Sequence, residues 1–419
     1  MRPTVRTIAS GLLAATFMLA VSTSAFAPAA AADPGVSDTE IVLGGTHPFS
    51  GPASAYGAIG KGIGAYFSYL NDRGGVNGRK IKWIDLDDAY SPPQAVQLVH
   101  QLVEQDHVFA VFDTLGTAVN TAIRPYLNQQ NVPQLFVATG ATTWGKDYKQ
   151  YPWTIGWQPD YQAESILYAQ DVLREHPRAK IGVIYQNDDY GEDMNAGLKK
   201  GLGSHQSMVV KWVSYETTDP NVSSQIASLK SAGCDTVMIF ATPKFAIQSM
   251  VAIAQQSWHP VIYLNNVANA IPYMRAAMKA GGPSAVEGIV TTYYLKDPAN
   301  HTRYAGDAGM KQYVEIMNKY LPSADKDDGN YLYGISIAYT MVDVLKRAGK
   351  DLTRKKVMDI ASNLTERDNP LVYPGVVIRT SPTFRFPITQ MIMAKWLQSD
   401  WSPTGVLADT RSLTMAATK

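Results

Sequence analysis

The segment Val132-Pro133-Gln134-Leu135-Phe136-Val137-Ala138-Thr139-Gly140-Ala141-Thr142-Thr143 joins a short apolar run to a turn of small polar residues. Residues 135–138 have the length and composition of a strand that is covered on both faces of a sheet. In an open α/β sheet, ligands bind beyond the carboxyl ends of the strands, where small residues let backbone groups approach a ligand. The segment alone fits two interpretations: a ligand-binding corner, or an ordinary strand-to-helix connection with a threonine cap.

Strands and helices alternate on both sides of this segment, which predicts a parallel sheet with right-handed crossovers. In the first half of the chain, strands are predicted at residues 41–43, 81–86, 108–112 and 135–138, and helices at residues 56–71, 92–105 and 118–128. Residues 151–157 predict a passage between two lobes. The pattern then restarts, with strands at residues 180–185, 209–215, 236–240 and 261–264, helices at residues 161–175, 222–231 and 245–255, and a helix that opens at Tyr190.

The last third of the chain predicts a return to the first lobe. Residues 290–294 would cross back, residues 376–396 alternate as strands do, and helices are predicted at residues 304–320, 331–347 and 353–363. The whole pattern predicts an α/β protein of two hinged lobes, whose crossover segments permit closure around a ligand. The predicted division is residues 1–32 as a signal peptide, 33–157 plus 294–370 as lobe 1, and 158–293 plus 371–419 as lobe 2.

The first 32 residues predict a secretory signal peptide. Two arginines precede an apolar stretch at residues 8–21, and small residues continue to Ala32, the preferred cleavage point. This predicts export to a periplasm.

Cys234 is the only cysteine, so no intrachain disulfide can form, and we expect its side chain to be buried. The formal net charge of +1 gives no sign of a nucleic-acid partner.

Catalytic and metal sites have little support in this sequence. It contains no Gly-x-Ser-x-Gly nucleophile elbow and no histidine pair at metal-ligand spacing. Asp85, Asp87 and Asp88 could form a metal site, but a solvated strand end is the preferred interpretation. His47 either lines a cleft or is packed, and it is not expected to act as a base. We therefore expect no enzyme activity, no metal and no cofactor.

Several predicted strand ends converge on one site. They are the loop at residues 50–56 and residues 115–117, 140–142, 241–243 and 265–266. Gly116 and Thr117 directly precede a predicted helix, whose free N–H groups and dipole favour an anion such as a carboxylate. Tyr56 and Tyr190 stand at strand-to-helix junctions, where a ring could close over a ligand. For Tyr190, a packing role is an equal alternative.

These residues also carry a family resemblance. The chain resembles the periplasmic solute-binding proteins of branched-chain amino acid ABC importers, the Leu/Ile/Val-binding protein type, from about Ile41 to Trp396. The matching stretches are Phe49-Ser50-Gly51-Pro52 with Tyr56-Gly57, Asn71-Asp72-Arg73-Gly74-Gly75-Val76-Asn77-Gly78, Asp87-Asp88 with Pro93-Gln94-Ala95-Val96, Gly140-Ala141-Thr142, and Asp188-Asp189-Tyr190-Gly191-Glu192.

The resemblance implies a type I fold of two α/β lobes that close on a ligand without catalysing a reaction. It implies that a ligand carboxylate meets Gly116, Thr117 and Thr142, and that a ligand amine, where present, meets the backbone at Gly140. Tyr56 and Tyr190 would line the cleft, with Thr242 and Phe245 from the second lobe. The full set of expected binding residues is Tyr56, Leu115, Gly116, Thr117, Gly140, Ala141, Thr142, Tyr190, Thr242, Phe245 and Asn265.

The sequence departs from the family pattern at two of these positions. Where amino-acid binders place an acid that holds the ligand ammonium, this chain has the neutral Asn265. A desolvated ammonium without a charged partner is costly. Gly116 stands where a serine is usual at the carboxylate site. We therefore expect a small carboxylate or amide with an apolar or aromatic body rather than an α-amino acid.

The resulting hypothesis is a monomeric receptor that captures a small carboxylate and then docks on the membrane permease of an ABC importer. Two alternatives remain open. An exported sensor would deliver its ligand to a membrane receptor, and an exported amidase or hydrolase on the same fold would need a nucleophile and a base in the cleft.

Overall fold

The computed structural model describes residues 1, 3, 4 and 33–417, so the predicted signal peptide lies outside the described residues except at three positions. Within this described part, no helix is both long enough and apolar enough to cross a membrane. The α/β architecture of two sheets, one parallel and one mostly parallel, flanked by helices agrees with the predicted fold class.

The first sheet has five strands, all parallel, in the spatial order β2-β1-β3-β4-β5. All residues of its three shortest strands are buried, because helices cover both faces of a parallel sheet. The strands are β1 (Glu40–His47), β2 (Lys80–Asp87), β3 (Ala110–Phe112), β4 (Gln134–Val137) and β5 (Thr154–Gly156).

The second sheet has seven strands in the order β14-β13-β10-β9-β8-β6-β7. Five run parallel, and the last two in the sequence form an antiparallel hairpin that joins β10. Its strands are β6 (Ile181–Gln186), β7 (Val209–Tyr215), β8 (Thr236–Phe240), β9 (Val261–Leu264), β10 (Val290–Tyr293), β13 (Gln390–Leu397) and β14 (Asp400–Asp409); β11 (Thr365–Glu366) and β12 (Ile378–Arg379) form a separate two-stranded sheet.

Helices lie between the strands along the chain, and the last helix follows the last strand. They are α1 (Gly57–Asn71), α2 (Pro92–Glu104), α3 (Thr117–Gln129), α4 (Thr143–Lys146), α5 (Tyr161–Glu175), α6 (Asp189–Leu202), α7 (Ser223–Ser231), α8 (Pro243–Gln255), α9 (Ile271–Gly281), α10 (Ala308–Tyr320), α11 (Gly329–Ala348), α12 (Arg354–Ala361) and α13 (Arg411–Ala417). Glycines let α1 and α11 pack closely: a Cβ on Gly62 would lie 2.6 Å from the carbonyl oxygen of Tyr331.

Three sequence-based expectations were incomplete. Residues 151–157 were expected to be only a passage between lobes, yet they contain β5, a three-residue strand too short to show a period. Helix α9 was not predicted. The tail extends into the β13–β14 hairpin, whose turn residues Gln398 and Ser399 both have positive φ (53° and 71°). Such turns usually contain Asn or Gly, so the residues Gln398 and Ser399 do not predict a hairpin turn from the sequence. The predicted bounds of the two lobes stay a prediction.

The acidic end of β2 is structural rather than solvated, which corrects the sequence-based interpretation. Asp87 accepts hydrogen bonds from the backbone N–H groups of Phe49 (2.9 Å) and Ser50 (3.2 Å). Asp88 is fully buried and accepts a 2.7 Å hydrogen bond from the hydroxyl of Thr46. These bonds hold the loop that follows β1 against the end of β2.

His47, at the end of β1, is packed and does not line the cleft. Its ring is fully buried between Asp85 (Nδ1–Oδ1, 2.7 Å) and Asp113 (Nε2–Oδ2, 3.3 Å). Burial alone would lower the pKa of His47, but the charges and hydrogen bonds of the two carboxylates outweigh it and raise the pKa from 6.5 to about 10. The protonated imidazole therefore neutralises carboxylates in the core of the first lobe.

We predict that His47→Gln lowers the free energy of unfolding by about 3–5 kcal/mol at pH 6, because it leaves the buried carboxyl group of Asp113 and the partly buried one of Asp85 without their cation. Since the pKa of His47 is raised on folding, its contribution is complete below pH 6.5 and is lost as the pH rises toward 10. Urea unfolding at pH 6 and pH 10 measures both effects. His100→Gln, which removes an exposed His–Glu pair, is the control. Equal midpoints for the wild type and His47→Gln at pH 6 would contradict the prediction.

Candidate ligand-binding cleft

A cleft lies where the carboxyl ends of strands from both sheets meet. It encloses about 1020 Å³ of empty space, part of it open to solvent. Residues that follow β3 and β4 line it on one side, and residues that follow β8, β9 and β10 line it on the other. This is the position at which open α/β sheets bind ligands.

The first-lobe wall contains the start of α3. Gly116 has a φ of 104°, and a Cβ at this position would lie 2.7 Å from Cε2 of Tyr90. Glycine therefore stands here because both the backbone conformation and the tyrosine ring exclude a side chain. In the described part of the chain, no side chain caps α3, so the N–H groups of its first turn remain available to a ligand anion.

Eight aromatic residues of the described chain line the cleft. Tyr161 and Tyr190 meet edge to face with their centroids 5.2 Å apart. Burial raises the pKa of every lining tyrosine, so their hydroxyls are neutral. The lining aromatic residues are Tyr56, Tyr90, Tyr161, Tyr190, Tyr293, Tyr294, Tyr333 and Trp401.

Two lining tyrosines hydrogen-bond from elements of the first sheet to elements of the second. The hydroxyl of Tyr56, at the start of α1, donates to the carbonyl oxygen of Val267, which follows β9 (2.9 Å). The amide of Gln186, at the end of β6, donates to the hydroxyl of Tyr90 (3.4 Å). The two walls are therefore in contact around the cleft.

Asn265 lies behind the wall and is bound to a buried acid. Its amide donates to Glu164 (3.0 Å), and its carbonyl oxygen accepts from the hydroxyl of Tyr190 (2.7 Å). Glu164 is fully buried and also accepts from the backbone N–H of Asn266 (2.7 Å) and the hydroxyl of Tyr168 (2.6 Å). Burial raises the pKa of Glu164 to about 7. This acid organises the wall and does not line the cleft.

Apart from the tyrosines, two ionisable side chains line the cleft, Lys296 and Asp297. The ammonium of Lys296 is already bound to Asp307 (2.6 Å) and to the carbonyl oxygen of Pro370 (2.7 Å). Asp297 accepts from the backbone N–H of Ala299 (3.0 Å), and burial raises its pKa to about 7. Among the described lining residues, Lys296 is the one lysine or arginine, so an anion here depends mainly on backbone N–H groups.

The Thr142 corner joins the loop after β4 to helices that pack on the second sheet. The Thr142 hydroxyl lies 2.5 Å from Asp160 and 3.1 Å from Asp193, and its backbone N–H donates to Asp193 (2.8 Å). A hydroxyl has one proton, so both side-chain contacts can be hydrogen bonds only if one carboxyl group is protonated. Burial and the neighbouring Asp193 raise the pKa of Asp160 to about 7, which agrees with a shared proton.

The structure brings six of the eleven expected binding residues to the cleft: Tyr56, Leu115, Gly116, Thr117, Tyr190 and Thr242. The other five are not among its lining residues. Thr142 is bound to two acids, Asn265 to Glu164, and the carbonyl oxygen of Gly140 accepts from the backbone N–H of Tyr161 (2.8 Å). Phe245 packs on Tyr215, with the ring centroids 4.3 Å apart. Ala141 is buried in a hydrophobic cluster that includes Trp144 and Tyr161.

Sequence reasoning missed several lining residues. Tyr90 and Tyr294 each follow a strand end, so the rule that selected Tyr56 could have found them. Tyr333 lies within α11, and nothing in the sequence distinguishes it from a core tyrosine. No group of three or more His, Cys, Asp or Glu side chains that could hold a metal ion occurs among the described residues.

Comparison with known proteins supports the α/β fold described above. The family model described as periplasmic binding protein matches residues 40–400. The chain is 24% identical to the leucine-specific-binding protein of Salmonella typhimurium over 369 residues, which cover 87% of this chain and 89% of that protein.

Solved structures share the fold at low sequence identity. A fatty acid ABC transporter substrate-binding protein from Thermomonospora curvata has a TM-score of 0.77 and 21% identity, covering 92% of this chain and 96% of its own. A branched chain amino acid ABC transporter from Thermus thermophilus with bound valine has a TM-score of 0.78 and 14% identity, covering 90% and 99%. An R. palustris solute binding protein in complex with benzoate has a TM-score of 0.73 and 18% identity, covering 88% and 96%.

Fold and cleft together define a two-lobe solute-binding architecture. The chain belongs to the periplasmic binding protein family, and its relatives of the Leu/Ile/Val-binding type confirm the resemblance seen in the sequence.

We predict that Thr142→Val lowers the free energy of unfolding by about 1–3 kcal/mol, because Asp160 and Asp193 lose a buried hydrogen-bonding partner. Urea unfolding at pH 7 measures the change. Thr121→Val is the matched control, since the Thr121 hydroxyl makes a longer and more exposed contact with Asp189 (3.3 Å). An effect of Thr142→Val no larger than that of the control would show that the corner contributes little to stability.

Proposed function

We propose that this chain is the extracytoplasmic substrate-binding component of an ABC importer of the branched-chain amino acid type, which captures a small carboxylate-bearing ligand by lobe closure. The observation that carries the proposal is the cleft itself: strand ends of both sheets line it, and the Tyr56–Val267 hydrogen bond spans it. A ligand that contacts both walls favours the closed form, since those contacts exist only there.

The ligand carboxylate is assigned to the start of α3. The first-turn N–H groups after Gly116 have no side-chain cap among the described residues, and the helix dipole adds about 0.3–2 kcal/mol for an anion. Thr117 lines the same place. Because Gly116 has no side chain, a carboxylate can approach the backbone closely.

The ligand body is assigned to the tyrosine-lined part of the cleft. Aromatic walls favour an apolar or aromatic group, and Asn265 offers no charge to an ammonium. We therefore favour a non-amino-acid carboxylate or amide over an α-amino acid. The fatty acid and benzoate named for two proteins of the same fold support this ligand class, whereas the valine-bound protein supports an amino acid.

The remaining steps follow from this role. The predicted signal peptide would export the chain to the periplasm, and the closed monomer would dock on membrane permease subunits. The relatives are substrate-binding proteins, which supports a non-catalytic role. An exported sensor remains the alternative, and an amidase or hydrolase is the less favoured one. Chemical turnover of a captured molecule would favour an enzyme, and binding to a receptor in place of a permease would favour a sensor.

A thermal-shift screen tests the ligand class. We expect benzoate or octanoate to raise the melting temperature and valine to raise it less, because binding stabilises the folded state by about 2.7 kcal/mol at 100 times the Kd. Native mass spectrometry of the purified protein would show any ligand that copurifies. If valine gave the largest shift, the preference for a non-amino-acid carboxylate would be wrong. Indifference to every amino acid and carboxylate would refute the proposed function.

We predict that Gly116→Ala weakens binding of the most effective carboxylate in that screen by at least about tenfold, or 1.4 kcal/mol. The added Cβ would clash with the Tyr90 ring and strain a backbone with φ of 104°. Isothermal titration calorimetry measures the loss. Gly64→Ala is the control, because a Cβ there meets its nearest neighbour at 3.5 Å and Gly64 itself does not line the cleft. Unchanged affinity in Gly116→Ala would remove the start of α3 from the site.

A further inference from the structure

Three arginines line a second concavity that shares no residue with the cleft. It holds about 470 Å³ of empty space, including space open to solvent. Its lining is mostly polar and consists of Arg367, Val377, Arg379, Pro387, Thr389, Gln390, Asp409 and Arg411.

The pairing of β11 with β12 places two of these arginines on one face. Thr365 lies opposite Arg379, and Glu366 lies opposite Ile378. Side chains alternate between the faces of a strand, so Arg367 and Arg379 share a face while Glu366 and Ile378 point into the core. The burial pattern agrees: both arginines are exposed, and Glu366 and Ile378 are buried.

A backbone link brings the third arginine to the same place. Arg411 begins α13 directly after Thr410, whose backbone N–H and hydroxyl both donate to the carbonyl oxygen of Thr389 (2.6 and 2.7 Å). The guanidinium of Arg411 stacks on the ring of Phe384, 3.9 Å from its centroid. This stacking limits the freedom of the side chain.

The positive charge of this concavity is not balanced by the protein. Asp409 is the one acid among the lining residues, so the three guanidiniums leave a net charge of +2. Its Oδ1 accepts from the hydroxyl of Thr389 (3.1 Å) and the backbone N–H of Arg411 (3.0 Å). In the described part of the chain, none of the three guanidiniums has a carboxylate within ion-pair distance.

A further donor faces the same space. The side-chain oxygen of Gln390 accepts from the backbone N–H of Val377 (2.7 Å), which leaves the amide NH₂ of this lining residue as a donor. Guanidinium groups match the oxygens of phosphate and carboxylate in geometry and charge. Positive charges that are held close together without a counter-charge also favour the binding of an anion.

We propose that the concavity formed by Arg367, Arg379 and Arg411 binds an oxyanion of the phosphate class. The same chemistry occurs in free inorganic phosphate and in the headgroup of an anionic phospholipid. The site shares no residue with the cleft, so the proposal does not rest on the proposed import function.

The test compares two double variants of equal charge change. Arg367→Gln with Arg379→Gln removes two guanidiniums from the concavity. Lys80→Gln with Lys82→Gln removes two exposed cations from one face of β2, and neither lysine has an ion pair within the described residues. Binding of inorganic phosphate is measured by calorimetry at constant ionic strength. Binding to vesicles of phosphatidylglycerol and of phosphatidylcholine is measured by co-sedimentation, and thermal unfolding checks that each variant folds.

We expect phosphate to bind the wild type and the lysine variant with equal affinity, and the arginine variant at least about tenfold more weakly. Sedimentation with phosphatidylglycerol but not phosphatidylcholine, lost only in the arginine variant, would identify a lipid headgroup as the source of the oxyanion. Equal binding by all three proteins, or no binding of either probe by the wild type, would overturn the proposal.

Discussion

Parallel strands place their carboxyl ends at one edge of a sheet, and the cleft exists because two such edges face each other. The backbone groups at these ends have no further strand to bind. At the start of α3 they remain uncapped, and elsewhere tyrosine hydroxyls bridge between the two walls, as Tyr56 does to Val267. The position of the binding site is thus a consequence of sheet topology, while its chemistry depends on what surrounds those ends.

Little of that surrounding chemistry is charged: Glu164 lies behind the lining, Lys296 is paired, and burial raises the pKa of the lining Asp297 to about 7. Glu164 holds Asn265 and Asn266, and Lys296 is neutralised by Asp307. Each buried charge is costly alone and stable only with its partners. A ligand in this cleft therefore meets aromatic rings and backbone dipoles, an environment suited to a single carboxylate on an apolar body.

Buried acids also occur where the two lobes meet. Thr142, in the loop after β4, contacts both Asp160 and Asp193, and a proton on one carboxyl group would let both contacts be hydrogen bonds. The corner that the sequence marked as a candidate ligand contact is thus used for cohesion between lobes. The small residues of Thr139-Gly140-Ala141 permit this close approach: a Cβ on Gly140 would lie 2.3 Å from the carbonyl oxygen of Pro159.

Much of this protein follows from its sequence. The alternation of strands and helices defines the α/β class, since burial on both faces of a parallel sheet demands continuous apolar runs such as residues 135–138. The strand-end rule located Gly116, Thr117 and Tyr56, because it depends only on the order of elements along the chain. Side-chain partners depend on residues distant in sequence. Only packing brings Glu164 behind Asn265, places His47 between Asp85 and Asp113, and turns Tyr333 of α11 toward the cleft. Local patterns carry no record of such long-range contacts, which is why the fold was predictable and much of the lining of the candidate cleft was not.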